Sequence, residues 1–335
     1  MAITKARLPN VASLVTRHGL LMREAFNVAH TDMAHWFPGH MARGLNKMQT
    51  KLKSVDCVIE VHDARIPVSG RNPQFEKRLG LTTLKPHLLV LNKMDLIDMR
   101  NKNKIMRYYA DQGINNILFT NCKKPDSKGI KSIIPIVSEL IRKSERFNRS
   151  EEASYQLMVI GIPNVGKSSL INALRAKHLR RGKATLVGGI PGITQSVLER
   201  IKVYENPAVY LLDTPGVMVP KIKSVEMGLK LALAATIKDH LVGEIDIADY
   251  LLYKLNYAGR HSYVDYLKVD EPTDNIQQLL KLSAVRHSWI KKIRDHRGMT
   301  EVPDTLLSAG RFLKGFRTGA FGTMLLDDIP DPLQK

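Results

Sequence analysis

The chain has 335 residues, of which 44% are hydrophobic and 25% charged, enough to bury a full core in one large domain or two of ordinary size. Lys and Arg number 51 against 32 acids, a formal charge of +19 that attracts polyanions, either nucleic acid or an anionic membrane surface. Two cysteines and no apolar run of spanning length exclude a disulfide framework, a cysteine zinc site and a transmembrane helix, and they point to a reducing compartment.

The charge is uneven. Residues 1–216 carry 34 basic and 17 acidic residues, whereas 217–335 carry 17 and 15. The first segment, 1–32, is basic, with Lys5, Arg7, Arg17 and Arg23. Val11, Leu14, Val15, Met22, Ala25 and Phe26 recur there at helical spacing. Such a start reads either as a mitochondrial targeting segment or as an ordinary first helix of the fold. Trp36-Phe37-Pro38-Gly39-His40-Met41 follows as a turn, and Met41, Leu45, Met48 and Leu52 then make a helical stripe with Arg43, Lys47 and Lys51 on another face.

Next come three apolar strands with polar ends. Val55–His62 leads into Asp63-Ala64-Arg65-Ile66-Pro67, and His87–Leu91 closes on Asn92-Lys93-Met94-Asp95. The Asp95 carboxylate can accept from both N1–H and the 2-amino group of guanine, whereas adenine presents an acceptor at N1 and would leave a buried acid unpaired. Asn116–Phe119 leads into Thr120-Asn121-Cys122, a loop whose backbone N–H fits guanine O6. The polar stretch Lys143–Ser154 separates these elements from the next strand, Leu157–Ile160.

That strand runs straight into Gly161-Ile162-Pro163-Asn164-Val165-Gly166-Lys167-Ser168-Ser169 and a helix, the strand–glycine loop–helix context of a phosphate-binding loop. Val165, Gly166, Lys167, Ser168 and Ser169 present backbone N–H groups and the Lys167 ammonium to β- and γ-phosphates, at the positive end of the helix. Ser168 is a Mg²⁺ ligand candidate. Thr194, within Gly188–Thr194, is placed to supply a second hydroxyl to Mg²⁺. The strands Leu198–Val203 and Val209–Leu212 lead to Asp213-Thr214-Pro215-Gly216, with Asp213 beside the metal and the Gly216 N–H sensing the γ-phosphate. Val217 stands where many GTPases carry a water-orienting Gln.

The motif order is inverted: the guanine-reading segments precede the phosphate loop. All six strands of a Ras-like sheet are nevertheless present. The expected fold is therefore α/β, a circularly permuted P-loop domain over 33–216 with a six-stranded, mostly parallel sheet. Residues 217–335 read as helical, through Ala232–Ile237, Ala248–Leu255, Ile276–Ile293 and Thr305–Arg317. The basic runs Arg175–Lys183, Arg286–Arg294 and Arg311–Arg317 are either solvated helix faces or RNA contacts.

The Trp36–Met41 run, Asp63–Pro67, the permuted motifs and Gly189–Thr194 together resemble the ribosome-biogenesis GTPase A family, and the N-terminal extension is most similar to its mitochondrial members. The resemblance spans about residues 33–330. It implies GTP hydrolysis as a switch in late assembly of the mitochondrial large ribosomal subunit, in the matrix and peripheral to the matrix side of the inner membrane. Expected partners are GTP and GDP, that subunit and its rRNA, with the chain a monomer off the ribosome. By the same resemblance His40 is the candidate to orient the attacking water, or else a structural residue of its turn. Asn164 resembles the K⁺ ligand of potassium-stimulated GTPases, its alternative being an amide that braces the loop.

Overall fold

The structure, a computed structural model, describes residues 14–17, 20–26, 50–73, 75, 85–146, 149, 151–180, 200–213, 220, 222–296 and 298–330. The chain divides into two compact units, one made of Met33–Val242 with Gly322–Lys335 and the other of Met1–Asp32 with Gly243–Phe321.

The larger unit is built on a six-stranded sheet. Its strands are β3 (Cys57–Asp63), β4 (His87–Asn92), β5 (Ile117–Phe119), β6 (Tyr155–Ile160), β7 (Arg200–Tyr204) and β8 (Val209–Asp213). The spatial order is β5-β4-β3-β6-β8-β7, with only β7 antiparallel to its neighbour. Every residue of β3 and β4 is buried, as expected of central parallel strands covered on both faces. Helices α1 (Lys102–Ala110), α2 (Lys128–Arg142) and α3 (Lys167–Leu179) connect or flank them. The α2 stripe Ile130, Ile133, Ile134, Val137 and Ile141 is buried at three-to-four spacing. Cys57 is a buried packing residue, its thiol pushed far up by burial.

Three polar residues of β3, Glu60, His62 and Asp63, are buried and hydrogen-bonded. Burial works to raise the Glu60 carboxyl, but hydrogen bonds from His62 Nε2 (2.7 Å) and His87 Nε2 (3.0 Å) hold it well below the usual carboxylate range. The Tyr109 hydroxyl donates to the Pro67 carbonyl at 2.6 Å beside this group.

The boundary at 216 read from the sequence differs from the division of contacts. Helix α4 (Val225–Leu233), N-capped by the Ser224 hydroxyl, and the short α5 (Asp239–Val242) belong with the sheet. Leu229 and Leu231–Leu233 are buried, and the Ala235 carbonyl just beyond accepts from Asn164 Nδ2 at 2.8 Å. Residues 322–335 also belong to this unit.

The smaller unit is mainly helical, comprising α6 (Glu244–Tyr257), α7 (Tyr263–Leu267), α8 (Ile276–Arg286) and α9 (Thr305–Thr318). Asn275 caps α8 and Asp304 caps α9, each accepting a backbone N–H three residues on. Tyr263, Phe312 and Phe321 rings pack at 5.9 and 5.4 Å between centroids to form its centre.

Two sequence expectations fail here. The helix expected over Ile276–Ile293 stops at Arg286, because Ser288 takes a left-handed φ of +55°. The chain then forms an antiparallel hairpin, β9 (Ile290–Asp295) with β10 (Gly298–Pro303). The helical reading of the N-terminal stripe is likewise replaced by a hairpin, β1 (Leu14–Arg17) with β2 (Leu20–Arg23). Arg23 anchors it, donating to Asp249 at 2.8 and 3.0 Å and to Asp274 through Nε at 3.0 Å. Phe26 packs edge-on to Tyr250 at 5.2 Å. A hairpin satisfies backbone groups between its strands while leaving Met22 to be buried and Arg23 to reach two acids.

Candidate guanine-nucleotide site

Five parallel strands end on one edge of the sheet, where open α/β sheets place their ligands. Asp63 pairs with Asn92, Leu91 with Phe119, Glu60 with Ile160, and Val159 with Asp213. The inverted chain order is therefore undone in space: each described motif follows the end of one of these strands.

Glycine is sterically required in the loop after β6. Gly161 and Gly166 have φ of +149° and +105°. A Cβ would lie 2.3 Å from the Val61 carbonyl oxygen at Gly161 and 2.2 Å from Asn92 Nδ2 at Gly166. Lys167 opens α3 and is buried, its Nζ donating to the Gly161 and Ile162 carbonyls at 3.0 and 2.9 Å. That holds the ammonium inside the loop, next to the N–H groups at the positive end of a 13-residue helix. Ser168 and Ser169 follow in the first turn, half-buried.

Asn92 ties this loop to the base-reading side. Its Nδ2 donates to the Val165 carbonyl at 2.8 Å, and its Oδ1 accepts from Thr120 Oγ1 at 3.3 Å and Cys122 N at 3.2 Å. Lys93, at φ +61°, starts the short 3₁₀ turn Met94–Leu96. Its Nζ donates to the Asn164 carbonyl and to Asp63 Oδ2, both at 2.7 Å. Asp95 rides on that turn with its side chain 31% exposed and Lys123 Nζ 3.9 Å away. The turn is fixed from below by Met94 N, which donates to the Thr120 carbonyl at 3.1 Å. Asn121 Oδ1 accepts from Lys123 N at 3.0 Å, shaping the loop. Burial pushes the Cys122 thiol up to about 12, so it stays neutral.

Asp63 was not among the site residues expected, though its motif carried the family resemblance. It is fully buried and accepts from Arg65 Nη2 and Lys93 Nζ, each at 2.7 Å. Burial works to raise its carboxyl; the two cations outweigh that and hold it well below the usual range. The available signal was an acid ending an apolar strand two residues before an arginine.

Asn164, at φ +58°, gives its amide nitrogen to Ala235, bracing the loop against the segment after α4. Asp213 closes β8 in register with Val159, two residues before the phosphate loop begins. Among the described residues no cluster of three or more His, Cys, Asp or Glu side chains is arranged to hold a metal. The hydroxyl of Ser168 is a hard oxygen donor of the kind Mg²⁺ takes, usually completed by phosphate and water, whereas the side chain of Asp213 lies outside what the structure describes. His40, Thr194 and Gly216 lie outside the described residues, as do Trp36–Met41 and Val217.

Residues 156–283 match a family model described as "50S ribosome-binding GTPase". The mouse protein "Mitochondrial ribosome-associated GTPase 1" is 55% identical over 309 residues, covering 91% of this chain and 93% of that protein. Its Xenopus tropicalis namesake is 51% identical over 92% and 98% of the two chains. "Ribosome biogenesis GTPase A" of Priestia megaterium is 34% identical over 88% and 96%. Among solved structures, GNP-bound YlqF from T. maritima superposes with a TM-score of 0.54 at 20% identity, over 86% of this chain and all of that one, which establishes a shared fold. The chain belongs to the family of mitochondrial ribosome-associated GTPases, relatives of ribosome biogenesis GTPase A.

Proposed function

We propose that the chain binds GTP at this edge of the sheet and hydrolyses it as a molecular switch in assembly of the mitochondrial large ribosomal subunit, and thereby supports mitochondrial translation. The observation that carries the reading is the Asn92 bridge, one side chain bonded both to the phosphate loop and to the loop at 120–122. It sets the spacing between a base reader and a phosphate binder.

In this reading Asp95 accepts from guanine N1–H and its 2-amino group, and backbone N–H of the Thr120–Cys122 loop meets O6. Lys167 and the N–H groups of Val165 to Ser169 neutralise the β- and γ-phosphates. Ser168, Thr194 and Asp213 would hold Mg²⁺, whose chemistry is to neutralise phosphate charge; Asn164 is the candidate contact for K⁺. The Gly216 N–H senses the γ-phosphate, and His40 orients the water. Phosphoryl transfer needs positioning and charge neutralisation rather than covalent chemistry, which suits a site built of backbone, cations and one water-holding group.

The setting is the mitochondrial matrix, with the chain peripheral to the inner membrane and monomeric off the ribosome. No described helix is long and apolar enough to cross a membrane. The excess of positive charge supports binding to rRNA. The exposed β9–β10 hairpin, with Lys292 and Arg294, is part of the surface assigned to it.

GTP turnover measured with and without large ribosomal subunits, in Na⁺ and in K⁺, tests the switch. Slow hydrolysis alone and a rise within the roughly 10³–10⁵ range of a completed site are expected. Stimulation by neither ribosome nor K⁺ would leave a GTP-dependent rRNA-binding scaffold as the surviving description.

A further inference from the structure

The last described stretch of the chain, 322–330, is short, with two adjacent acids set among Met324, Leu325, Leu326 and Ile329, and it is far in sequence from every nucleotide motif. In space it lies against two of them. Met324 N donates to the Leu96 carbonyl at 2.9 Å, on the turn that carries Asp95. Leu326 N donates to the Arg65 carbonyl at 2.9 Å, the residue whose guanidinium holds Asp63 and through it Lys93. Asp327 is 4% exposed, and its Oδ2 accepts from Val68 N at 2.8 Å and Ser69 N at 2.7 Å while Oδ1 accepts from the Ser69 hydroxyl. Lys230 Nζ, on α4, lies 3.9 Å away. Ile329 is buried in the cluster formed by Leu91, Ile97 and Phe119 beneath the same turn.

We infer that residues 322–330 are a positioning strap for guanine recognition, with Asp327 as its anchor. The strap bonds the segments on both sides of the base reader: the turn of Asp95 directly, and Lys93 by way of Arg65 and Asp63. A carboxylate that receives two backbone N–H groups and a hydroxyl, away from water, is a firm attachment, because releasing it leaves those donors unpaired in the interior. A turn held from one side only can tilt. A tilt of Asp95 damages the contact to the guanine 2-amino group most, since that contact depends on the direction of the carboxylate.

The inference rests on Asp95 being the guanine reader, and the test separates the two claims. Affinities of the full-length protein for GDP and for IDP, which lacks the 2-amino group, are measured by calorimetry for wild type, Asp327→Ala, Asp327→Asn and Ser69→Ala. The GDP-over-IDP ratio reports the Asp95 contact alone, and thermal melting of each variant reports stability separately. For Asp327→Ala the ratio is expected to fall at least about fivefold towards one. Asp327→Asn keeps an oxygen for the two N–H groups and should restore most of the ratio; Ser69→Ala should lower it less than Asp327→Ala. If wild type does not discriminate GDP from IDP, the assignment of Asp95 fails and takes the strap with it. If wild type discriminates and Asp327→Ala keeps the full ratio, even with weaker binding to both nucleotides or a lower melting temperature, the strap is a stability element only and the inference is overturned.

Discussion

Removing the Asn92 side chain tests how base and phosphate recognition are joined. Asn92→Ala deletes three hydrogen bonds, to the Val165 carbonyl, from Thr120 Oγ1 and from Cys122 N, at a position 3% exposed. Three groups lose this partner, and each buried group left unsatisfied costs about 1–3 kcal/mol, giving a total of about 3–9 kcal/mol. Part of this loss falls on folding, so nucleotide affinity should drop by at least ~10²-fold, equivalent to about 2.7 kcal/mol. Asn92→Asp separates the contributions. Its carboxylate can still accept from Thr120 and Cys122, but it faces the Val165 carbonyl with an oxygen where a donor is needed. It should therefore keep the 120–122 loop bonded but lose stability and nucleotide through the buried carboxylate set against that carbonyl. The assay is GDP titration at 25 °C beside urea unfolding of each variant. GDP affinity within threefold of wild type in Asn92→Ala would refute the argument that this side chain sets the spacing of the pocket.

Other expectations follow from buried charge. The Asp63 carboxyl has its folded pKa lowered, so its stabilisation is complete above the ordinary carboxylate range near pH 4 and is lost as pH falls towards the folded value. Urea unfolding from pH 5 to 3 should lose up to about 1.4 kcal/mol per pH unit from this group, and Asp63→Asn should remove that share of the slope. Arg23→Met strands Asp249 and Asp274 beside each other and should destabilise the smaller unit by about 3 kcal/mol, seen as early proteolysis within Gly243–Phe321. An unchanged proteolytic pattern would mean the β1–β2 hairpin is not part of that unit's stability.

Much of the nucleotide-binding unit was legible because its signals are local. A buried parallel strand is a short apolar run, and a phosphate loop announces itself by glycines whose Cβ has no room, as at Gly161 and Gly166. The six strands expected are the six strands of the sheet. What escaped depends on distant partners. Asp327 reads as one of two adjacent acids near the end of the chain, and only its approach to Ser69, 258 positions away, makes it a cap. Asp63 gains its role from Lys93, 30 positions on. The β9–β10 hairpin was hidden for another reason: Ile290 and Ile293 fit a helical period as well as a strand, and no Gly or Pro marks the break at Ser288. The β1–β2 stripe was ambiguous in the same way, and its pairing rests on Arg23 meeting two acids more than 220 residues downstream.

The central claim is that Asp95 reads the base in the same pocket where Lys167 meets phosphate. Asp95→Asn tests it directly. Asn can accept from the N1–H of xanthine and donate to its 2-oxo group, but it would set its amide hydrogens against the guanine 2-amino group. Titration of the variant with GDP and XDP, with Lys167 intact, should show GDP affinity falling and XDP affinity rising until XDP is preferred. Adding Lys167→Ala should then weaken binding of XDP in the Asp95→Asn protein. Unaltered preference for GDP in Asp95→Asn would contradict the account.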